Sequence, residues 1–173
     1  MRIRHATTSD ALSIAQVHVR SWQYAYRGLL TDDLLDNLSV EKRQVMWARS
    51  LANPTPSLLV AEDSDEIVGF SAFGPYRDAM GSPTVHELWA LYLLPDHCSK
   101  GIGHQLWLAS CAEMVSQGST DIRVWVLAGN NRAEHFYKKA GFRPEPDSSK
   151  PLALPGQHGS ETRFTLHLPS GRL

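Results

Sequence analysis

Two glycines, Gly101 and Gly103, flank one isoleucine where an apolar run ends and a helical pattern begins. The first N–H groups of a helix have no partner within the helix, and its N-terminus carries a partial positive charge. Without side chains, the two glycines allow phosphate groups to approach those N–H groups, and Lys100 adds a mobile cation. A tight turn that binds nothing explains the same spacing, so the pair by itself leaves both interpretations open.

Two common phosphate-binding motifs are excluded at this turn. The dinucleotide motif G-x-G-x-x-G fails because Leu106 stands where the third glycine is needed. The P-loop motif G-x-x-x-x-G-K-[ST] is absent. The chemistry of the turn therefore depends on the elements around it.

The composition favours one globular domain over residues 1–173 and excludes several functional classes. The net charge is -1 and 42% of the residues are hydrophobic, so nothing draws the chain to nucleic acid or to an anionic membrane. The 2 cysteines and 8 scattered histidines match neither a disulfide framework nor a metal site. No apolar run is long enough to span a bilayer, and the first residues lack the apolar core of a signal peptide. We expect a cytoplasmic protein without a bound metal.

Hydrophobic periodicity predicts the elements that position the glycine turn. A strand near Ile3 precedes two helices, one that starts at the cap residues 8–10 and one capped by Ser39. A hairpin, a nearly apolar strand over 85–94 and a helix after Gly103 follow. A strand over 122–127, a helix over 130–139, a loop over 144–160 and a strand over 162–168 complete the order. This order indicates an α/β sandwich around a mixed sheet.

Two stretches on either side of the strand over 122–127 resemble the signatures of the GNAT N-acetyltransferase superfamily. "HELWALYLLPDHCSKGIGHQLW" resembles its acetyl-CoA motif, in which an apolar central strand and a proline precede Q/R-x-x-G-x-G/A at the start of a helix. "NNRAEHFYKKAGFRP" resembles its second signature, N-x-x-A-x-x-F-Y-x-x-x-G-F, and "IRHATTSDALSIAQVHVRSWQYAYRGLL" resembles its first strand and helices. The resemblance implies a single α/β (α+β) domain with a mixed, mostly antiparallel central sheet flanked by helices. It also implies acetyl-CoA as the cofactor.

The resemblance further implies where the cofactor lies. The pyrophosphate of coenzyme A would lie on the backbone N–H groups of Cys98, Ser99, Lys100, Gly101, Ile102, Gly103 and His104. The pantetheine arm would pair, like an added strand, with the edge of the central strand at Leu91, Tyr92 and Leu93. A gap between this strand and the strand over 122–127 would admit the arm, and Asn130 matches the family's asparagine that contacts the cofactor.

One position departs from the family pattern. Cys98 stands where the family has glutamine or arginine, so a side-chain donor or cation is missing while the backbone N–H remains. Lys100 and His104 are candidates to compensate. We therefore expect weakened binding of coenzyme A, and we interpret Cys98 as an incidental small loop residue rather than a catalytic thiol.

Acetyl transfer from a thioester to an amine requires a neutral amine, a donor for the carbonyl oxygen and a proton for the leaving thiolate. A lysine-like amine has a pKa of about 10.4, so its deprotonation at pH 7 costs roughly 4.6 kcal/mol. By resemblance, Tyr137 is the general acid that protonates the thiolate of coenzyme A, and the backbone N–H of Leu93 polarises the acetyl carbonyl. The other interpretation of Tyr137 is an aromatic side chain packed in the core.

The base is less well defined by the sequence. Glu87 opens the central strand, and simple alternation places it on one face with Trp89 and Leu91. Some family members use a glutamate on this strand, directly or through water, whereas a solvated carboxylate at the strand end is the alternative. His86 points to the opposite face and is the lesser candidate, and His18 is better explained as a core or cleft-lining histidine.

The acceptor pocket would lie between the first two helices, the loop at 76–77 and the segment before the last strand. Its candidate walls, which accompany Glu87, are aromatic residues able to hold a cation: Trp22, Tyr26, Tyr76 and Trp125. Core packing explains each of these rings equally well. Glu161 and Arg163 flank Thr162 in the last strand, and a surface ion pair between them is the default expectation.

Three functional hypotheses follow from these patterns. The resemblance favours an acetyl-CoA-dependent N-acetyltransferase that acts on a primary amine of a small molecule or a protein. The alternative is a catalytically silent CoA-binding sensor, which Cys98 favours and Tyr137 disfavours. The third is an interaction domain whose glycines are purely structural. The sequence names neither the acceptor nor the oligomeric state, although homodimers are common in the family.

Overall fold

The computed structural model describes residues 1–77 and 82–169, which form one sheet with helices on both faces. Its strands are β1 (Arg2–His5), β2 (Ser57–Asp63), β3 (Glu66–Pro75), β4 (Val85–Leu93), β5 (Asp121–Leu127), β6 (Arg143–Pro151) and β7 (Ser160–His167). Its α-helices are α1 (Ala11–Ala25), α2 (Asp32–Asp36), α3 (Val40–Leu51), α4 (Ile102–Ser116) and α5 (Asn131–Lys139). No helix of the described residues combines the length and apolar character needed to cross a membrane.

The strands lie in the order β1-β2-β3-β4-β5-β7-β6, so β4 is central. Neighbouring strands pair antiparallel except β4 and β5, which pair parallel. Helices α1 and α3 pack together, and α1 and α4 both contact β3 and β4. The predicted mixed, mostly antiparallel sheet flanked by helices is confirmed, while the five-residue α2 is an addition that the periodicity did not predict.

The parallel pair of β4 and β5 separates after a short contact. The two strands are in register only where Val85, His86 and Glu87 face residues 121–123. Beyond Glu87 the edge of β4 that faces β5 has no strand partner among residues 1–77 and 82–169, so an extended ligand can pair with backbone groups there. This is the gap between the central strand and the next that the family resemblance implies.

A β-bulge interrupts β4 beside the expected acceptor pocket. The ladder between β3 and β4 skips Trp89, which is therefore the extra residue of the bulge. One extra residue reverses the alternation of side chains beyond it. Glu87 consequently shares a face with Tyr92 rather than with Leu91, and the expectation from simple alternation is wrong on this point.

The segment expected to be a loop over 144–160 contains an additional strand. β6 pairs antiparallel with β7 at the edge of the sheet, with an irregularity in the register between Glu145 and Lys150. Its three prolines lack N–H groups, which argues against a central strand but is tolerated at an edge. The prediction of a loop was wrong because the pairing with β7 overrides the weak local strand pattern.

Candidate active site and cofactor turn

The two glycines of the turn have different structural roles. Gly101 caps α4 with φ 84°, in the left-handed region that favours glycine, and a Cβ atom there would meet nothing within 4 Å. Gly103 packs closely on β4, since a Cβ atom there would lie 3.1 Å from Cδ1 of Leu93. The space outside Gly101 is thus open to a ligand, whereas Gly103 serves the contact between helix and strand.

The first turn of α4 leaves backbone donors available beside this open space. The N–H groups of Ile102, Gly103 and His104 lie before the first helical hydrogen bond, which Gln105 donates to the Gly101 carbonyl at 3.1 Å. The N–H of Cys98 already donates to the carbonyl of Pro95 at 3.1 Å. The donors suited to an anion therefore lie in α4 rather than at the start of the turn.

A guanidinium from α5 lies at the glycine turn. Nη2 of Arg132 donates to Oγ of Ser99 at 2.9 Å, and Nη1 donates to the hydroxyl of Tyr24 in α1 at 3.2 Å. Burial raises the pKa of the Cys98 thiol, although the Arg132 charge opposes this effect, so the thiol is not activated. Arg132 is not among the residues predicted from the sequence, although it stands inside the second signature, in "NNRA".

Lys100 and His104, the residues expected to compensate for Cys98, are not held at the turn by side-chain hydrogen bonds from the described residues. Lys100 and His104 are exposed, and their side chains make no hydrogen bond within residues 1–77 and 82–169. Asn130 caps α5, where its Oδ1 accepts a hydrogen bond from the N–H of Ala133 at 3.1 Å. The helix that carries Arg132 is therefore fixed from its first turn.

The open edge of β4 presents one donor next to a buried serine. The N–H of Leu94 donates to Val68 in β3 at 2.8 Å, and successive N–H groups of a strand point to opposite edges. The N–H of Leu93 therefore faces the gap. The carbonyl of Leu93 accepts a hydrogen bond from Oγ of Ser21 in α1 at 2.6 Å. Ser21, which the sequence analysis did not identify, fixes the end of the strand that carries this donor.

Three tyrosine side chains gather below this edge. The hydroxyls of Tyr26 and Tyr92 lie 3.3 Å apart, and Tyr137 packs its ring against Phe136 and Phe142 at centroid distances of 5.2 Å and 5.4 Å. Burial raises the pKa of each tyrosine above its usual value, and the proximity of Tyr92 adds to the effect on Tyr26 and Tyr137. The three phenols therefore keep their protons at neutral pH.

Glu87 is buried and ion-paired, so its interpretation as a solvated carboxylate is wrong. Its side chain is 1% exposed. Oε2 accepts hydrogen bonds from the backbone N–H and from Nε of Arg77, each at 3.2 Å, and Oε1 pairs with Nη2 of the same residue. The guanidinium of Arg77 also lies 5.0 Å from the ring centroid of Trp89. Trp89, the extra residue of the bulge, therefore contacts the cation that pairs with Glu87.

A cleft of about 270 Å³ opens above this ion pair. Its lining consists of Arg77, Glu87, Trp125, Lys150 and Glu161. Two of the residues predicted for the acceptor pocket, Glu87 and Trp125, thus lie together. The segment before the last strand contributes Lys150 and the last strand contributes Glu161, whereas the first two helices are not among the lining residues.

Trp22 and Tyr26 belong to a different group of aromatic side chains, between α1 and β4. Their rings meet edge to face at 5.1 Å. His18 stacks on Tyr92 at 5.4 Å, and its Nδ1 accepts a hydrogen bond from Trp47 at 3.1 Å. Burial, assisted by a nearby arginine, lowers the pKa of His18 to about 3. His18 is therefore a neutral core histidine.

Tyr76 is buried under two guanidinium groups rather than lining the cleft. Arg123 lies 4.4 Å from its ring centroid, and Nη1 of Arg163 donates to its hydroxyl at 2.9 Å. Arg163 also pairs with Glu145 of β6, while Glu161 pairs with Lys150 at 3.5 Å. Among the described residues, the expected pair between Glu161 and Arg163 does not form; each residue pairs instead with a residue of β6, so both ion pairs join β6 to β7.

Comparison with known proteins agrees with this geometry. The model of the acetyltransferase (GNAT) family matches residues 17–142. An uncharacterized N-acetyltransferase, YuaI of Bacillus subtilis, is 32% identical over 130 residues, which are 74% of this chain and 72% of that protein. Spermidine N(1)-acetyltransferase of Thermoplasma acidophilum is 27% identical over 150 residues, 84% of this chain and 89% of that protein.

A solved structure shares the fold. The PaiA N-acetyltransferase from Thermoplasma acidophilum in complex with coenzyme A superposes with a TM-score of 0.73 at 24% identity, over 96% of this chain and 98% of that chain. The open turn at Gly101 and the gap beside β4 fit a ligand of this kind. The chain belongs to the GNAT acetyltransferase family and is an N-acetyltransferase whose cofactor is acetyl-CoA.

Proposed function

We propose that this enzyme transfers the acetyl group of acetyl-CoA directly to a primary amine of a small molecule or a protein. The observation that carries the proposal is the separation of β4 from β5, which leaves the Leu93 N–H facing a gap near Tyr26, Tyr92 and Tyr137. Bound acetyl-CoA supplies the activated acetyl thioester. All other requirements of the reaction fall to side chains and backbone groups of this chain.

The cofactor site combines backbone donors with one side-chain cation. The N–H groups of the first turn of α4 and the open loop at Ser99 and Gly101 receive the pyrophosphate. Arg132 supplies the positive charge that is missing at Cys98, because its guanidinium already lies at Ser99. The pantetheine arm pairs with the open edge of β4 at Leu91, Tyr92 and Leu93.

Two groups act on the reacting thioester. The N–H of Leu93 donates to the acetyl carbonyl and stabilises the negative charge that develops there. Tyr137 protonates the leaving thiolate, since burial keeps its phenol protonated at neutral pH. Ser21 holds the carbonyl of Leu93 and so keeps the neighbouring donor in place.

Glu87 removes the proton from the acceptor amine, directly or through water. In the structure its oxygens accept hydrogen bonds from Arg77, so base action requires an acceptor ammonium or a water molecule to take the place of the guanidinium. Arg77 is 56% exposed at its side chain, which gives it room to withdraw. A chain of water molecules to solvent is the alternative route for the proton.

The test separates the enzyme from a catalytically silent CoA-binding module. Acetyl-CoA at a hundred times its Kd should stabilise the fold by about 2.7 kcal/mol, which thermal unfolding measures. Release of the thiol of coenzyme A is then followed with a panel of primary amines, against a control without amine. A thermal shift without amine-dependent thiol release would favour the silent CoA-binding module. The absence of a thermal shift would contradict both the enzyme and the silent module, since each must bind acetyl-CoA.

A further inference from the structure

The cleft already contains an alkylammonium group that belongs to the chain. Nζ of Lys150 lies 3.6 Å from the ring centroid of Trp125 and 3.5 Å from Oε1 of Glu161. An aromatic face and a carboxylate around a primary ammonium are the contacts that an amine ligand would make. Lys150 therefore demonstrates, within the protein itself, that this wall of the cleft accommodates an alkylammonium group.

The carboxylates of the cleft are more buried than its cations. The side chain of Glu87 is 1% exposed and that of Glu161 is 22% exposed, whereas those of Arg77 and Lys150 are 56% and 41% exposed. The Arg163 guanidinium, 5.8 Å from the Trp125 ring centroid, is already paired with Glu145. If ligand ammonium groups displace Arg77 and Lys150 towards solvent, two carboxylates and the ring of Trp125 remain to bind two positive charges.

The second carboxylate lines the same cleft as the candidate base. Glu161 on β7 and Glu87 on β4 are both lining residues, together with Trp125. The cleft offers one carboxylate to the amine that reacts and another to a second ammonium.

We propose that Trp125 and Glu161 form a subsite for a second ammonium group, so that the acceptor is an alkyl diamine or a longer polyamine that displaces Lys150. This inference rests on the proposed function. One ammonium loses a proton to Glu87 or water, its nitrogen forms a bond to the acetyl carbon, and the carbon–sulfur bond breaks. The thiolate takes a proton from Tyr137, and the second proton that the nitrogen loses as the amide forms restores the phenol. The products are the N-acetyl amine, the free thiol and the one proton first removed from the ammonium.

The displacement of Lys150 has an unusual consequence. Lys150 competes with the second ammonium, so its removal should strengthen the binding of a diamine and leave a monoamine unaffected. If Lys150 instead bound a carboxylate of the acceptor, its removal would weaken binding. Removal of Lys150 should thus lower the Kd for a dicationic acceptor and raise the Kd for a zwitterionic one.

Calorimetry on the enzyme saturated with coenzyme A tests the subsite without turnover. Diaminopentane should bind at least about tenfold more tightly than aminopentane, and Glu161→Gln should abolish this difference. Lys150→Met should lower the Kd for diaminopentane by about three- to tenfold, whereas Lys139→Met, the same change at an exposed position of α5, should leave it unchanged. Melting temperatures of the variants verify that they fold.

Three results would overturn the inference. Equal affinities for the diamine and the monoamine would remove the second subsite. A higher Kd for diaminopentane in Lys150→Met would make Lys150 part of the binding site rather than a competitor. Tighter binding of norleucine, a zwitterion of similar length, that is lost in Lys150→Met would assign Lys150 to a substrate carboxylate. Since binding is measured without transfer, a failure here is distinct from the absence of acetyl transfer.

Discussion

Arg77 holds the carboxylate of Glu87 through both its backbone N–H and its guanidinium, each donating at 3.2 Å to the same oxygen. The carboxylate is buried, whereas the guanidinium is more than half exposed. The ion pair therefore lies at the bottom of the cleft, with the carboxylate of Glu87 inside the protein and the guanidinium of Arg77 in contact with solvent. Base action by Glu87, as proposed, requires an acceptor or a water molecule to displace this guanidinium first.

Glu87→Gln tests the base. If Glu87 accepts the amine proton, the substitution should lower kcat/KM by about 10²- to 10⁴-fold and change the rise of kcat/KM with pH. The fold should survive, because Arg77 can be solvated when its partner becomes neutral. Steady-state kinetics from pH 6 to 9 with an amine substrate is the measurement. A variant with the rate and the pH profile of the wild type would assign the proton to a water chain.

Tyr137→Phe tests the general acid. The substitution keeps the ring that packs against Phe142 and removes only the hydroxyl. We expect kcat to fall by about 10²- to 10⁴-fold, while the Kd for acetyl-CoA, measured by calorimetry, is nearly preserved. The loss should shrink for a thioester with a more acidic thiol, which needs less protonation. A kcat within about threefold of the wild type would reduce Tyr137 to a packing role.

Arg132→Gln tests the cation at the glycine turn. A hydrogen bond from a charged donor contributes about 1.5 to 3 kcal/mol, so the KM for acetyl-CoA should rise about tenfold or more. The KM for S-acetylpantetheine, which lacks the pyrophosphate, should not change. Lys138→Gln, which removes a charge from the same helix, is the control. An equal effect on both thioesters would mean that Arg132 acts by positioning α5 rather than by contacting phosphate.

Cys98→Arg tests whether a cation at position 98 can replace the guanidinium of Arg132. Introduced into the Arg132→Gln variant, it returns a cation to the position where the family has glutamine or arginine. The KM for acetyl-CoA should fall back towards the wild-type value if the two positions serve the same phosphate groups. A double variant no better than Arg132→Gln alone would show that an arginine at position 98 cannot reach the ligand.

The buried His18 should make the free energy of unfolding depend on pH. Burial lowers its pKa in the folded chain to about 3, from 6.5 in the unfolded chain. Below pH 6.5 the unfolded chain takes up a proton that the folded chain refuses, so the free energy of unfolding should fall as the pH falls towards 3. The slope from this residue is at most about 1.4 kcal/mol per pH unit.

The measurement for His18 is urea unfolding of the wild type and of His18→Leu between pH 7.5 and 4.5. The variant loses the hydrogen bond from Trp47 and should be less stable at pH 7.5. The wild type should then lose stability faster than the variant below pH 6.5. A difference between the two proteins that does not change with pH would contradict the neutral buried histidine.

The local features of this protein could be predicted from the sequence. Ser39 caps α3, as predicted, through a hydrogen bond from an N–H group three residues away, so its effect depends on near neighbours alone. Gly101 ends a turn at a positive φ that few other residues adopt. The glycine turn, the central strand and the tyrosine of the second signature were therefore identified together with the family.

Two features of the sheet could not be predicted from the sequence, because they depend on pairing between distant parts of the chain. The bulge at Trp89 depends on the register with β3, and β6 exists because β7 pairs with it. These two pairings set the face on which Glu87 lies and bring Lys150 onto Trp125. Because hydrogen bonding across a ladder joins residues that are far apart in the sequence, no local pattern specifies such an outcome. The sequence by itself thus determined the family and the glycine turn, and the tertiary structure decided which charges meet in the cleft beside Glu87.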